Sequence, residues 1–232
     1  MIKNKNDVII LAAGNSQRFR DKQKKQNKKI SNQSLVDIAI RYFINRKEIN
    51  NIFVAYNKKI PLNTKYKSKI IFVEGGRTRS HSVYNVLNHI ITNYKPSNNI
   101  IIHDVARPYI NKNDLNKLLK IFTTTGISLG YPLTNAIKYV NNNHVVESNI
   151  DRNNLVASFT PQKFNFKKLY NAYKKVINDK INVDDDLEVM TYDSHKVKIM
   201  ISSPGNIKIT YKDDLYVFCL LYTSPSPRDR VL

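Results

Sequence analysis

Tryptophan is absent from this chain of 232 residues, cysteine occurs once, and there are only 6 glycines. The lone cysteine, Cys219, excludes an internal disulfide and a cysteine-built metal site, and it fits a reducing compartment. No apolar run approaches the roughly 20 residues that a membrane-spanning helix needs, so no membrane partner is expected. The opening MIKNKNDVIILAAG is positive at its start, but its apolar part runs straight into a glycine loop without a cleavage region. That pattern predicts a cytoplasmic protein. Acidic residues are scarce: 18 Asp plus Glu stand against 38 Lys plus Arg, a formal net charge of +20. Such an excess can serve nucleic acid, a membrane surface or small phosphorylated substrates. The lysines are spread along the chain among many Asn and Ile rather than gathered into a stripe, and the charge reads mainly as compositional drift. The run from Lys22 to Lys29 is the exception.

What is present is a globular pattern. The hydrophobic fraction of 41% and the chain length suffice for one sizeable core. Short apolar runs bounded by turn residues predict buried strands at Asp7 to Ala12, Asn51 to Tyr56, Lys69 to Val73, Asn99 to His103 and Gly126 to Pro132. Helical spacing predicts helices over Ser34 to Phe43, Thr78 to Tyr94 and Asn113 to Phe122. In the second of these Val83, Val86, Leu87, Ile90 and Ile91 form one face. Two further helices are expected at about Phe164 to Asn178 and Asp185 to Tyr192, then a strand at Lys196 to Ile201 and a last helix from Lys212. Alternating strands and helices imply an α/β, Rossmann-like, mainly parallel sheet with helices on both faces. IKYVNNNHVV, Ile137 to Val146, reads instead as a hairpin inserted into that domain, a β-arm over about residues 134–152 suited to an oligomer interface. Residues 1–219 are read as a single domain. Leu220 to Leu232, LLYTSPSPRDRVL, breaks the pattern and reads as a non-native tail.

In such sheets ligands bind at the carboxyl ends of the strands, and three polar loops fall there. LAAGNSQRF, Leu11 to Phe19, brings small residues and a glycine to a strand end, where backbone N–H groups can cradle an anion with Arg18 and Lys25 adding charge. It is neither a Walker loop nor a three-glycine dinucleotide fingerprint. EGGRTRSHSV, from Glu74, places Ser80 and Ser82 near a helix start, where a hydroxyl either reaches a base edge or caps the helix. HDVARP, His103 to Pro108, sets Asp104 and Arg107 at the sheet's ligand edge. Asp104 there can hold Mg²⁺, Arg107 can bind phosphate or pair with a carboxylate, and His103 reads as structural.

LAAG-x-x-x-RF, GGRTRSHSV, HDVARP, DRNNLVASFTPQKF and SPGNIKIT, in that order from about Val8 to Leu215, resemble the 2-C-methyl-D-erythritol 4-phosphate cytidylyltransferase family. The resemblance implies a Mg²⁺-dependent transfer of CMP from CTP to methylerythritol phosphate, a step of non-mevalonate isoprenoid synthesis, by a homodimer built through the β-arm. It implies that Arg18, Lys25 and Lys208 grip the triphosphate and act in catalysis. Ala12, Ala13, Gly14, Gly76 and Ser82 would line the nucleotide, with Asp104 at the ribose and the metal. Arg107, Arg152 and Thr160 would serve the acceptor, Arg152 reaching across from the partner subunit. The sequence departs from the family at Asn135 and Ala136, where an acid and a hydroxyl are usual, and at Asp184, where a hydroxyl is usual. Lys24, Lys25 and Gln26 stand where Pro-Lys-Gln is usual. A ribitol-5-phosphate cytidylyltransferase, or a basic nucleic-acid-binding protein, is the alternative reading. Nucleic acid is the less expected partner, because the cations that matter sit with glycine loops and an acid.

Overall fold

The computed structural model describes residues 5–19 and 24–223. Lys22 and the greater part of the expected tail therefore lie outside the described residues. The chain runs through β1 (Asn6–Leu11), the short pair β2 (Lys29–Ile30) and β3 (Gln33–Ser34), α1 (Leu35–Arg41), β4 (Ile49–Tyr56) and β5 (Ile71–Glu74). It continues with α2 (Arg79–Asn93), β6 (Asn99–Asp104), α3 (Lys112–Lys120), β7 (Gly126–Pro132), β8 (Ile137–Val140) and β9 (Val146–Ile150). β10 (Val156–Asn165), α4 (Phe166–Asn178), α5 (Asp186–Tyr192), β11 (Lys198–Ile201) and α6 (Lys212–Thr223) complete it.

A 7-stranded sheet in the order β11-β7-β10-β6-β1-β4-β5 forms the centre. Its two faces are both covered, which the alternation in β1 makes plain. Val8 and Ile10 pack with Leu35, Val36, Leu115, Leu119 and Phe218 from α1, α3 and α6. Ile9 packs with Val83, Val86, Leu169, Tyr173 and Val189 from α2, α4 and α5. Strands buried on both faces are the reason these segments read as continuous apolar runs. On α2 the apolar face is narrower than the spacing predicts: Val83, Val86, Leu87 and Ile90 are fully buried, but Ile91 is 44% exposed. Ile91 lies about 100° round the helix from Ile90, beyond the stripe the sheet covers.

β10 is the element that the sequence pattern does not announce. It runs antiparallel to both β6 and β7, whereas the remaining pairings of the large sheet are parallel. Pro161 lies in its middle, and a proline ordinarily argues against a central strand. Here the register with β7 shifts between Phe159 and Gln162, so the proline falls at an irregularity of the ladder. Because β10 is reversed, it begins beside Pro132 and Tyr131, at the ligand edge of the sheet. β8 and β9 form the expected hairpin as a separate 2-stranded sheet. Tyr139, Val145 and Val146 on it are all more than half exposed. Both ends of the hairpin are rooted at the same edge, where the Leu133 N–H donates to the Leu155 carbonyl at 3.1 Å.

Candidate nucleotide site

β1 and β6 end side by side, Leu11 opposite Asp104, and the Val105 N–H donates to the Leu11 carbonyl at 3.2 Å. Beyond that edge lies a cavity of about 270 Å³ lined by Ala12, Ala13, Gly14, Arg18, Lys25, Gly76, Ser82, Asp104 and Lys208. Those nine are the residues for which a triphosphate and nucleoside role is expected. Gln26, Arg77, Thr78 and Arg79 line it too.

Each wall has a local cause. The first loop is pinned from below by Gln26, only 2% exposed, whose amide donates to the Gly14 carbonyl at 3.3 Å and whose oxygen accepts from the Ser16 hydroxyl at 3.1 Å. A Cβ added at Gly14 would meet nothing within 4 Å, so the small residue there leaves space on the cavity side. The glycines of the second loop act differently. Neither has a positive φ. Instead, a Cβ on Gly75 would fall 2.5 Å from the Ala13 Cβ, and one on Gly76 2.3 Å from the His81 Cβ. These glycines let two loops touch rather than supply a special turn. Thr78 is the N-cap of α2, its hydroxyl accepting from the His81 N–H at 3.2 Å. Ser82, one turn in, is freed from capping. Its hydroxyl donates to the Thr78 carbonyl at 2.8 Å and accepts from the Gly76 N–H at 3.0 Å, holding the loop against the helix.

Among the described residues, Asp104 is the one carboxylate lining the cavity. Arg79 Nε donates to its Oδ1 at 3.3 Å, and Lys208 Nζ pairs with its Oδ2 at 3.0 Å. Burial would push this carboxyl up, but Arg79, Lys208 and Arg107 outweigh burial and hold it well below the usual carboxylate range. Lys25, pressed by burial and by neighbouring Lys208, is lowered to about 8. Its ammonium is fixed by donation to the Ile209 carbonyl at 2.6 Å. The segment around Lys208 is stitched to the Asp104 loop, because the Ile209 N–H donates to the Ala106 carbonyl at 2.8 Å and Arg107 Nη1 to the Asn206 carbonyl at 2.8 Å.

The expected acceptor residues are not among those lining this cavity. Thr160 is 3% exposed and sits behind Asp104, whose N–H donates to the Thr160 hydroxyl oxygen at 3.0 Å. His103, fully buried, contacts the Arg107 carbonyl through Nε2 at 3.0 Å and the Thr160 hydroxyl through Nδ1 at 3.3 Å. A carbonyl can only accept, so Nε2 carries the proton and the Thr160 hydroxyl donates to Nδ1. Burial lowers this imidazole to about 4, and it stays neutral, the structural part foreseen for it. Arg107 is buried enough that its Nε finds no partner, and its guanidinium lies 5.7 Å from the Phe159 ring centre. Arg152 lies exposed between β9 and β10, away from the cavity. Asn135, Ala136 and Asp184 are exposed as well. The Asp184 carboxylate thus rests in solvent, while Asp185 caps α5 and Asp186 is fully buried.

A Mg²⁺ ion fits this donor set in one way only. Among the described residues no group of three or more His, Cys, Asp or Glu could hold a metal alone. Mg²⁺ is commonly bound by one or two carboxylates together with substrate phosphates, and Asp104 supplies the first part.

Sequence spacing alone did not mark Arg79, Gln26 or Asp186. The doublet of arginines before Ser80 is the signal for Arg79, since the first residue of a helix at a strand-end loop points toward the ligand edge. Gln26 and Asp186 fall within stretches that the family resemblance marks, but apart from that resemblance only their burial distinguishes them.

Residues 7–221 match the family described as 2-C-methyl-D-erythritol 4-phosphate cytidylyltransferase. A protein of that name from Wigglesworthia glossinidia brevipalpis is 33% identical over 214 residues, covering 90% of this chain and 91% of its own length. Another from Fusobacterium nucleatum is 31% identical, covering 92% and 95%. The crystal structure of the enzyme of that name from Francisella tularensis has a TM-score of 0.76 at 28% identity, covering 92% of this chain and 98% of its own. The corresponding structure from Thermus thermophilus, with a TM-score of 0.77 at 19% identity over 94% and 98%, shares the fold.

Proposed function

Because this chain belongs to the 2-C-methyl-D-erythritol 4-phosphate cytidylyltransferase family, we propose that it transfers CMP from CTP to 2-C-methyl-D-erythritol 4-phosphate, releasing pyrophosphate. The observation that carries this reading is the gathering of Arg18, Lys25, Arg79 and Lys208 with Asp104 around one cavity walled by the backbone of two small-residue loops.

The acceptor's phosphate is already anionic at neutral pH, so one of its oxygens attacks the α-phosphorus without a protein base. A new P–O bond forms as the bond to the leaving pyrophosphate breaks, and the electron pair departs with pyrophosphate. The protein's part is to align three highly charged groups and neutralise their repulsion. Arg18 and Lys25 line the cavity, grip the triphosphate and neutralise charge on the α-phosphate, and Lys208 joins them from the far end of the chain. Gly14, Gly76 and Ser82 leave room for a pyrimidine to approach the backbone. Asp104, with the substrate phosphates, would hold Mg²⁺, which would supply further neutralisation of phosphate charge. Arg107 and Thr160 support the loop on the acceptor side, and Arg152 serves the acceptor from the exposed arm region of a second subunit. The exposed apolar residues of the arm favour a homodimer, and a cytoplasmic setting fits a chain whose single cysteine builds no internal disulfide. Among the described residues no helix is long and apolar enough to cross a membrane.

The test is an assay of pyrophosphate release with Mg²⁺, each nucleoside triphosphate, and either methylerythritol phosphate or ribitol 5-phosphate. Release with CTP and methylerythritol phosphate is expected. Release with the ribitol ester instead transfers the assignment to the alternative acceptor, and none with any pair refutes the activity. Tight, salt-dependent binding to DNA or RNA without such release is the outcome the nucleic-acid reading requires. Light scattering reads the dimer.

A further inference from the structure

Behind Asp104 runs a chain of buried polar contacts that the transfer reaction as described does not use. Arg79, the first residue of α2, donates through Nε to Asp104 Oδ1 at 3.3 Å and through Nη2 to Asp186 Oδ2 at 2.6 Å. Asp186, the first residue of α5, is completely buried, and the buried Tyr173 hydroxyl of α4 donates to its Oδ1. The path Tyr173–Asp186–Arg79–Asp104 thus connects the helical layer on one face of the sheet to the carboxylate at the ligand edge.

The two cations on Asp104 differ in freedom. The Lys208 side chain is 40% exposed, and the Asp104 carboxylate is its one ion-pair partner among the described residues. A flexible ammonium so placed can turn to an arriving phosphate. The Arg79 side chain, 24% exposed, is tied to an acid with no exposure at all. Leaving that acid would strand a buried charge, which makes the Asp186 contact the fixed end of the fork. Arg79 has its second donor group already aimed at Oδ1, so the rotation of the Asp104 carboxylate is set from behind whatever Lys208 does.

We infer that Arg79 is the positioning residue of Asp104, held in place by Asp186 and Tyr173, so that Oδ2 stays turned into the cavity when Lys208 moves onto the nucleotide. The inference rests on the reading that Asp104 serves Mg²⁺ and the nucleotide. It predicts that the relay acts through Asp104 and on the chemical step, with little effect on the grip of the triphosphate.

The full chain carries the test, with kcat and KM for CTP measured beside calorimetric CTP affinity in Mg²⁺ and in EDTA. Arg79→Lys, which keeps the charge but loses the fork, is expected to lower kcat by about 10–100-fold, the usual range for groups that orient a metal ligand. KM for CTP should stay within about 3-fold and CTP affinity in EDTA should be unchanged, a split that uniform loss of binding does not produce. Tyr173→Phe should lower kcat by a few-fold with the same split. Arg79→Lys combined with Asp104→Asn should be no slower than Asp104→Asn alone. Losses that multiply in the double variant, or CTP affinity that falls equally in EDTA, make Arg79 a direct phosphate contact and overturn the inference alone. Full activity of Asp104→Asn removes the role of Asp104, and the inference with it. Should Arg79→Lys fail to fold, an unchanged kcat in folded Tyr173→Phe overturns the relay.

Discussion

Lys25 carries the most direct consequence at the scale of single residues. Its ammonium is lowered to about 8 by burial and by Lys208, so in the free protein it is charged below that pH and neutral above it. A cation that grips phosphate works only when protonated. KM for CTP is therefore expected to rise as pH climbs from 7 to 9, and Lys25→Arg, charged throughout, should flatten that profile. Ser82 makes a second case. Ser82→Ala leaves the Gly76 N–H without its acceptor and costs about 1 kcal/mol of stability, roughly 2–4 °C in melting temperature, and CTP affinity should fall as the loop it held loosens. An unchanged affinity would show that the cytosine wall does not depend on that hydroxyl. Much of this scale is legible from sequence alone: Asp104, Lys25 and the small residues after β1 sit where strand-end loops must present them. Ser82 is harder, because capping and base recognition use the same residue type at a helix start. Only the placement of Thr78 as the cap separates them.

Among elements, β10 shows why a buried strand can escape a reading of local pattern. Its residues Phe159 to Asn165 combine a proline with Gln162 and Lys163, both 1% exposed, which alternation would assign to a surface or a loop. Lys163 is buried because its ammonium donates to the carbonyls of Leu118 at 3.0 Å and Leu119 at 3.2 Å, and also to that of Ile121. These carbonyls lie at the C-terminal end of α3, where helix acceptors lack intrahelical partners, and the Asn6 side-chain amide also donates to that of Leu119 at 3.2 Å; a strand side chain thus helps close the end of a helix across the layer. The carbonyls and the charge belong to distant parts of the sequence, and no window along the chain contains both. Lys163→Met should leave the Leu118 carbonyl without that donor and destabilise the fold by about 1–3 kcal/mol in urea unfolding. A loss below about 0.5 kcal/mol would mean that water replaces the ammonium. The hairpin of β8 and β9, by contrast, is fully announced by its Asn-rich turn between β-prone runs, because every contact it needs lies within itself.

For the whole molecule the question is what a net charge of +20 does. The cations around Asp104 are fixed by specific contacts, while lysines such as Lys167 and Lys174 on α4 are exposed. If the distant charge is compositional, Lys167→Glu with Lys174→Glu should leave kcat/KM for CTP within about 2-fold at 0.15 M salt, where the screening length is roughly 8 Å. A larger drop that deepens at low salt would instead reveal long-range steering. The arm has a different consequence. Its entry and exit lie against each other, joined by the hydrogen bond from Leu133 to Leu155, and its two strands pair only with one another. The seven-stranded sheet therefore owes nothing to it, and the segment is modular in the literal sense. Replacing residues 134–154 by a short glycine turn should yield a folded catalytic layer, and if the arm builds the proposed homodimer, light scattering should read a monomer. Assembly and folding, inherited as one sequence, would then be separable by a single excision.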